Sequence, residues 1–86
     1  MKFTYDPAKS KSNQSKHGIN FEQAQQLWLD PLRVEIEAQS TTEPRFMIIG
    51  KIEGKYWSAI VTYRHQTIRI ISVRRSRQEE IRVYES

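Results

Sequence analysis

The apolar spacing of this chain changes abruptly at Asp30-Pro31. Before that point, the apolar residues of segment 21–28 recur at the three-to-four-residue spacing of an amphipathic helix. After it, Val34 and Ile36 alternate with charged residues, which is the two-residue period of a strand with one solvated face. The residue before a proline is disfavoured in a helix, so the helical part must end here. Helices followed by a run of strands predict an α+β fold.

Two helices are predicted before this boundary. Asp6 offers an N-cap oxygen and Pro7 suits the first helical position, while Gly18 suits a left-handed helix end. This first helix has almost no apolar residues, so its caps must hold it. Asn20 can cap the second helix, with Gln23 placed to complete a capping box.

The second half of the chain predicts strands joined by short turns. Glu53-Gly54 is a tight hairpin signal, and Ser76 with Glu79 matches a capping box for a last helix. We therefore expect a short N-terminal strand, two helices, an antiparallel sheet of about four strands and a C-terminal helix, with the helices on one face. The long strands are predicted at residues 45–52, 55–63 and 67–75.

Length and composition exclude several classes of protein. With 86 residues and no cysteine, the chain has room for one domain, residues 1–86, and lacks disulfides and thiolate chemistry. Two histidines cannot build a His-rich metal cage, and no metal-ligand spacing is present. No apolar run is long enough to span a membrane, and the N-terminus has no signal-peptide stretch. We expect a cytoplasmic protein without a cofactor.

Positive charge is concentrated at the two ends of the sequence. The net charge is +4, but residues 64–77 alone hold five arginines and no acidic residue. Because guanidinium groups bind phosphate bidentately and keep their charge, such a cluster favours a polyanionic partner over a merely solvated edge.

Alternation along the last strand limits how these arginines can act together. It places Arg69 and Arg74 on opposite faces of the sheet, unless the strand twists or bulges near Ser72. Arg69 lies among apolar neighbours, where an unpaired charge is costly. It must meet a phosphate, a backbone carbonyl or an acid, and the acids considered as structural partners are Glu22, Glu35 and Glu37.

A second segment of interest is Lys16-His17-Gly18. Histidine titrates near neutral pH and can act as a general acid or base. A single histidine at a helix end is more often structural, and His65 at a hairpin tip is a weaker candidate. Trp57 and Phe46 are expected in the core, although aromatic residues on strands can also stack on unpaired bases.

The order of several motifs resembles the BrnT family of toxins. The opening pattern is Phe3-x-Tyr5-Asp6-Pro7, followed by Asn13-x-x-Lys16-His17-Gly18-Ile19-x-Phe21-Glu22 and by Asp30-Pro31. Later segments continue the match over essentially the whole chain: Arg45-Phe46-x-x-Ile49-Gly50, Arg69-Ile70-Ile71-Ser72-Val73-Arg74-Arg75 and Tyr84-Glu85. Val73 departs from the family pattern, in which alanine is common.

This resemblance implies a type II toxin–antitoxin toxin with a RelE-like ribonuclease fold, which cuts RNA and inhibits translation. It also implies a BrnA-type antitoxin whose ribbon-helix-helix part binds DNA, and a toxin–antitoxin heterotetramer is one assembly we consider. We expect a metal-independent reaction in which a ribose 2′-hydroxyl attacks the adjacent phosphate. The expected catalytic residues are Arg69, Arg74, Arg64 and, as acid or base, His17; the expected RNA-binding residues are Lys16, Arg45, Arg75 and Tyr84.

Two other functions remain open on the sequence. The basic ends could bind RNA without cleaving it, or could serve only to receive an acidic antitoxin. Salt-dependent RNA affinity without new RNA termini would indicate the first, and tight antitoxin binding without RNA affinity the second.

Overall fold

The computed structural model describes residues 1–86. None of its helices is both long enough and apolar enough to cross a membrane. The elements follow the predicted order: β1 (Lys2–Thr4), α1 (Pro7–His17), α2 (Phe21–Ala24) continued by a 3-10 segment (Gln25–Leu29), β2 (Val34–Ala38), β3 (Arg45–Ile52), β4 (Lys55–Arg64), β5 (Thr67–Arg75) and α3 (Gln78–Glu85).

The strands form one five-stranded sheet in the order β1-β5-β4-β3-β2. The predicted four-stranded antiparallel part is confirmed as β2 to β5. The N-terminal strand adds a fifth strand, because β1 pairs in parallel with β5 at its free edge. The turn between β3 and β4 has positive φ at Glu53 and Gly54, as a tight two-residue hairpin requires.

One face of the sheet, here called the helical face, is covered by α2 and the 3-10 segment. Phe21, Ala24 and Leu27 are buried against Ala59, Val61 and other strand residues in a single core cluster. Trp57 also belongs to this core at 8% exposure, as predicted, and Phe46 packs partly buried against it. The Asn20–Gln23 capping box is confirmed in both directions.

The prediction that all helices share one face is wrong, because α3 lies on the opposite face. Ser58 lies between the core residues Trp57 and Ala59, so its side chain points away from the helical face. Its hydroxyl donates to the Glu80 carboxylate of α3 at 2.8 Å. The start of α3 was also predicted one residue early: the N-cap is Arg77, and Ser76 bonds Ser58 instead.

A β-bulge in β5 changes which side chains share a face. Val61 pairs with Ile70 and Ile60 with Ser72, so Ile71 is an extra residue in β5. The bulge lies next to Ser72, where the sequence analysis places the twist or bulge that would bring Arg69 and Arg74 to one face of the sheet. It moves Arg74 to the same face as Arg69, opposite the helical face, while Val73 turns into the core.

α1 is held by polar contacts as well as by its caps. Asp6 accepts from the Ala8 amide, and Gly18 ends the helix with φ of 79°. The buried Asn13 side chain donates to the carbonyls of Ile19 and Val73, both at 2.9 Å, and accepts from the Val73 amide at 3.3 Å. Asn13 thereby satisfies the backbone hydrogen-bonding groups of Val73, in the part of β5 that extends past the end of β1.

Candidate active site

Three arginines lie close together on the open part of the face opposite the helical face. Arg45 on β3 and Arg69 on β5 lie on the two strands that flank Thr62 of β4, and Thr62 is directly paired with Arg69. Neighbouring strands are about 4.8 Å apart, so the Arg45 and Arg69 backbones are separated by about 10 Å. Arg64 follows two residues after Thr62 and points to the same face. These three residues are called the arginine cluster below.

Arg64 forms an ion pair with Glu43, in the loop before β3. Its Nη2 donates to the Glu43 carboxylate at 2.8 Å and its Nε donates at 3.2 Å. The hydrogen bond from Arg64, with added attraction from Arg45 and Arg69, lowers the pKa of Glu43. Glu43 therefore sits ionised among three guanidinium groups, and the group keeps a net charge of about +2.

The other two members of the arginine cluster have no anionic partner. Arg69 makes neither an ion pair nor a side-chain hydrogen bond, although it is only partly exposed, and Glu22, Glu35 and Glu37 do not pair with it. Arg45 is likewise unpaired, and its Nε is buried without any hydrogen-bond acceptor. A site with two such cations is electrostatically ready for an anion with several acceptor oxygens, such as phosphate.

Arg74 shares this face but is engaged elsewhere. Its Nη1 and Nη2 donate to the Glu80 carboxylate at 2.8 and 2.7 Å. Glu80 also accepts from Ser58 and from the Arg77 amide, and these bonds, the one from Arg74 first, lower its pKa to about 2. This arrangement fastens α3 to β4 and β5, some 14 Å along the strand from Arg69. The two arginines thus share a face without sharing an anion site.

Tyr84 is also tied into the fold. Its hydroxyl donates to Asp30 at 2.8 Å, and Asp30 accepts in turn from the Lys51 amide. Burial, and then the hydrogen bond to Asp30, raise the pKa of Tyr84 to about 12. Tyr84 is therefore a neutral hydroxyl that links α3 to the end of the 3-10 segment.

Three further predicted residues lie at the other end of the molecule. Lys16 and His17 are exposed at the end of α1, and the adjacent Gly18 lines a cavity of about 200 Å³ with Trp57, on the helical face. Arg75 stacks over the Trp57 ring at 5.4 Å. The structure does not bring these residues to the arginine cluster, because Trp57 lies about 17 Å along β4 from Thr62.

Sequence reasoning missed two acidic residues that organise the candidate site. Glu43 lies in the loop before β3 and was not among the predicted site residues, although an acid two residues before Arg45 was a usable signal. The sequence prediction assigned the capping box of α3 to Glu79 and not to Glu80, because it begins the helix one residue early.

An apolar row borders the arginine cluster on the same open face. Ile36, Met47 and Ile60 are paired side by side across β2, β3 and β4, and Ile36 is 37% exposed. These aliphatic side chains are suited to contact with another protein.

Comparison with protein families decides the affiliation of the chain. Residues 5–80 match the family model described as the ribonuclease toxin BrnT of a type II toxin–antitoxin system. The chain belongs to the BrnT family. A search of curated proteins finds no match.

Membership places the chain among ribonuclease toxins, and a type II system implies a protein antitoxin as partner. The matched region contains the whole arginine cluster together with Glu43, Arg74 and Glu80, whereas Tyr84 lies beyond its end. The arginine cluster is thus the candidate active site of this BrnT toxin.

Proposed function

We propose that this chain is an endoribonuclease toxin that cleaves RNA without a metal ion and thereby inhibits translation. In this reaction a ribose 2′-hydroxyl attacks the adjacent phosphate, and the 5′-oxygen of the next nucleotide leaves. The observation that carries the proposal is the pair of unpartnered arginines, Arg45 and Arg69, on either side of Thr62. Two long cationic side chains rooted about 10 Å apart can reach one phosphate between them.

The site residues follow from this arrangement. Arg69 and Arg45 bind the non-bridging oxygens of the scissile phosphate and stabilise the charge that develops on them, and Arg64 adds a third positive charge. Arg74 and Tyr84 support the site by holding α3 in place. Lys16 and Arg75 are assigned to phosphates further along the RNA, and His17, on the side of Lys16, has no part in the chemical step.

The first experiment is induced expression in a bacterial host with mapping of RNA ends. We expect the wild-type chain to arrest growth and to produce new RNA termini that carry 2′,3′-cyclic phosphates. The Arg69→Ala variant should do neither, because it loses the central phosphate ligand. Arg82→Ala, which removes the same charge from the exposed side of α3, should behave as wild type.

Other results would redirect the assignment. Soluble wild-type protein that leaves growth and RNA ends unchanged would favour the non-catalytic alternatives. Cleavage of purified RNA that stops on addition of EDTA and returns with Mg²⁺ would contradict the metal-independent mechanism.

The neighbouring apolar row supports a second role of the same face. We propose that a cytoplasmic BrnA-type antitoxin, whose ribbon-helix-helix part binds DNA, covers Ile36, Met47 and Ile60 together with the arginine cluster. Met47→Asp should then abolish copurification of the coexpressed antitoxin, while the unfolding midpoint shows that the toxin remains folded. Light scattering of the wild-type complex tests whether it is a heterotetramer.

A further inference from the structure

The proposed reaction needs a group that accepts a proton, and one carboxylate lies against the arginine cluster. Arginine cannot serve, because it stays protonated at physiological pH. His17 lies at the distant end of α1. Glu43 is the carboxylate in direct contact with the cluster, with two hydrogen bonds from Arg64.

The backbone next to Glu43 is anchored over the centre of the cluster. The carbonyl of Pro44, the following residue, accepts a hydrogen bond of 2.8 Å from the Thr62 hydroxyl. Thr62 is 2% exposed and lies between the strands of Arg45 and Arg69. The loop that carries Glu43 is therefore fixed beside the position proposed for the scissile phosphate.

The surroundings of Glu43 differ from those of an ordinary surface ion pair. A structural pair needs one cation, yet Glu43 faces Arg64 from β4, Arg45 from β3 and Arg69 from β5. All the charged groups that face it are cationic, so it remains ionised and able to accept a proton at neutral pH. Arg45 and Arg69 form no ion pair and no side-chain hydrogen bond, which leaves them available to the phosphate.

We infer that Glu43 is the catalytic residue that removes the proton from the attacking 2′-hydroxyl. This inference rests on the proposed function. As the 2′-oxygen forms its bond to phosphorus, its proton passes to the Glu43 carboxylate, while the bond from phosphorus to the 5′-oxygen breaks. The 5′-oxygen leaves as an alcohol after taking a proton from water, and Glu43 returns its proton to solvent. The products are a 2′,3′-cyclic phosphate and a 5′-hydroxyl end.

Arg64 has a positioning role in this scheme. Its two hydrogen bonds orient the carboxylate and keep its pKa low. Removal of these bonds in Arg64→Gln lets the pKa of Glu43 rise towards its usual value. The acidic limb of the pH–rate profile, which reports protonation of the base, then moves to higher pH.

The decisive comparison is between Glu43→Gln and Glu37→Gln. Both variants remove one negative charge from adjoining segments, but Glu37 has no ion pair or side-chain hydrogen bond. In the expression experiment, Glu43→Gln should abolish new RNA ends and Glu37→Gln should not. On an RNA oligonucleotide that spans a mapped cleavage site, Glu43→Gln should lower kcat/KM by about 100-fold or more, as loss of a general base does. Its affinity for the 2′-deoxy analogue of that oligonucleotide should be equal or higher, since an anion has been removed.

Several outcomes would overturn the inference. Cleavage by Glu43→Gln at the rate of Glu37→Gln would remove Glu43 from the chemistry while leaving the ribonuclease proposal intact. Faster cleavage and tighter binding by Glu43→Gln would show that this carboxylate only occupies the phosphate site. The assignment would also be contradicted if the acidic limb of the pH–rate profile lay at the same pH in Arg64→Gln as in the wild type. Failure of the proposed function is a different result, namely that the wild-type chain produces no new ends.

Discussion

Glu80 offers the sharpest test of how α3 is attached to the sheet. The carboxylate accepts four hydrogen bonds, two of them from Arg74, and keeps only 10% of its side-chain surface exposed. Its pKa is about 2 in the folded protein, against 4.5 for an ordinary glutamate. That difference corresponds to about 3 kcal/mol of stability at neutral pH. Solvent reaches the Arg74 side of the pair, which is 28% exposed, so screening reduces the expected contribution to about 2 kcal/mol.

The sign of the pH dependence follows from the direction of the shift. Because the pKa of Glu80 is lower in the folded state, its contribution is complete above the unfolded pKa of 4.5 and is lost as the pH falls towards 2. Glu80→Gln should therefore lower the free energy of unfolding by about 2 kcal/mol at neutral pH. At about pH 3 the difference between wild type and variant should shrink to less than half.

Urea unfolding followed by tryptophan fluorescence measures this, since Trp57 lies in the core and Trp28 packs against it. The matched control is Glu79→Gln, which removes the same charge from an exposed position in the same helical turn. It should cost only a few tenths of a kcal/mol through the helix dipole. Equal destabilisation by the two substitutions, or a Glu80→Gln effect that does not change with pH, would refute the reasoning.

Three more predictions concern the stability of the fold, all measured by urea unfolding. Asn13→Ala should cost about 2–3 kcal/mol, because buried backbone groups of β5 lose their partner; a loss below about 0.5 kcal/mol would contradict that role. Gly18→Ala should cost about 1 kcal/mol from its left-handed φ of 79° alone, since a Cβ there meets nothing within 4 Å; an unchanged midpoint would contradict it. Gly50→Ala should destabilise by about 1–3 kcal/mol, because its Cβ would lie 3.1 Å from a Leu27 methyl and 3.3 Å from an Asp30 oxygen; an unchanged unfolding midpoint would contradict this crowding.

The sequence by itself determined most of the local structure. Asp6, Gly18 and the Asn20–Gln23 pair place helix ends where the structure has them, because capping depends on residues within one turn of the backbone. The Glu53-Gly54 turn is equally local. The family motifs were also sufficient to indicate a BrnT toxin, and the clustering of arginines in residues 64–77 predicts phosphate binding.

Tertiary structure alone decided which arginines lie together in the candidate site. A bulge at Ile71 brings Arg74 to the face of Arg69, and alternation along the sequence could not locate that extra residue exactly. Arg74 is then held by Glu80, while Arg45, which is distant in sequence, lies on the same face as Arg64 and Arg69 across three strands. The position of α3 on the second face and the placement of Glu43 likewise depend on pairing between remote segments. Charge and chemistry are properties of single residues and can be read along the chain. Which side chains come together depends on strand register and packing, and these exist only once the sheet has formed.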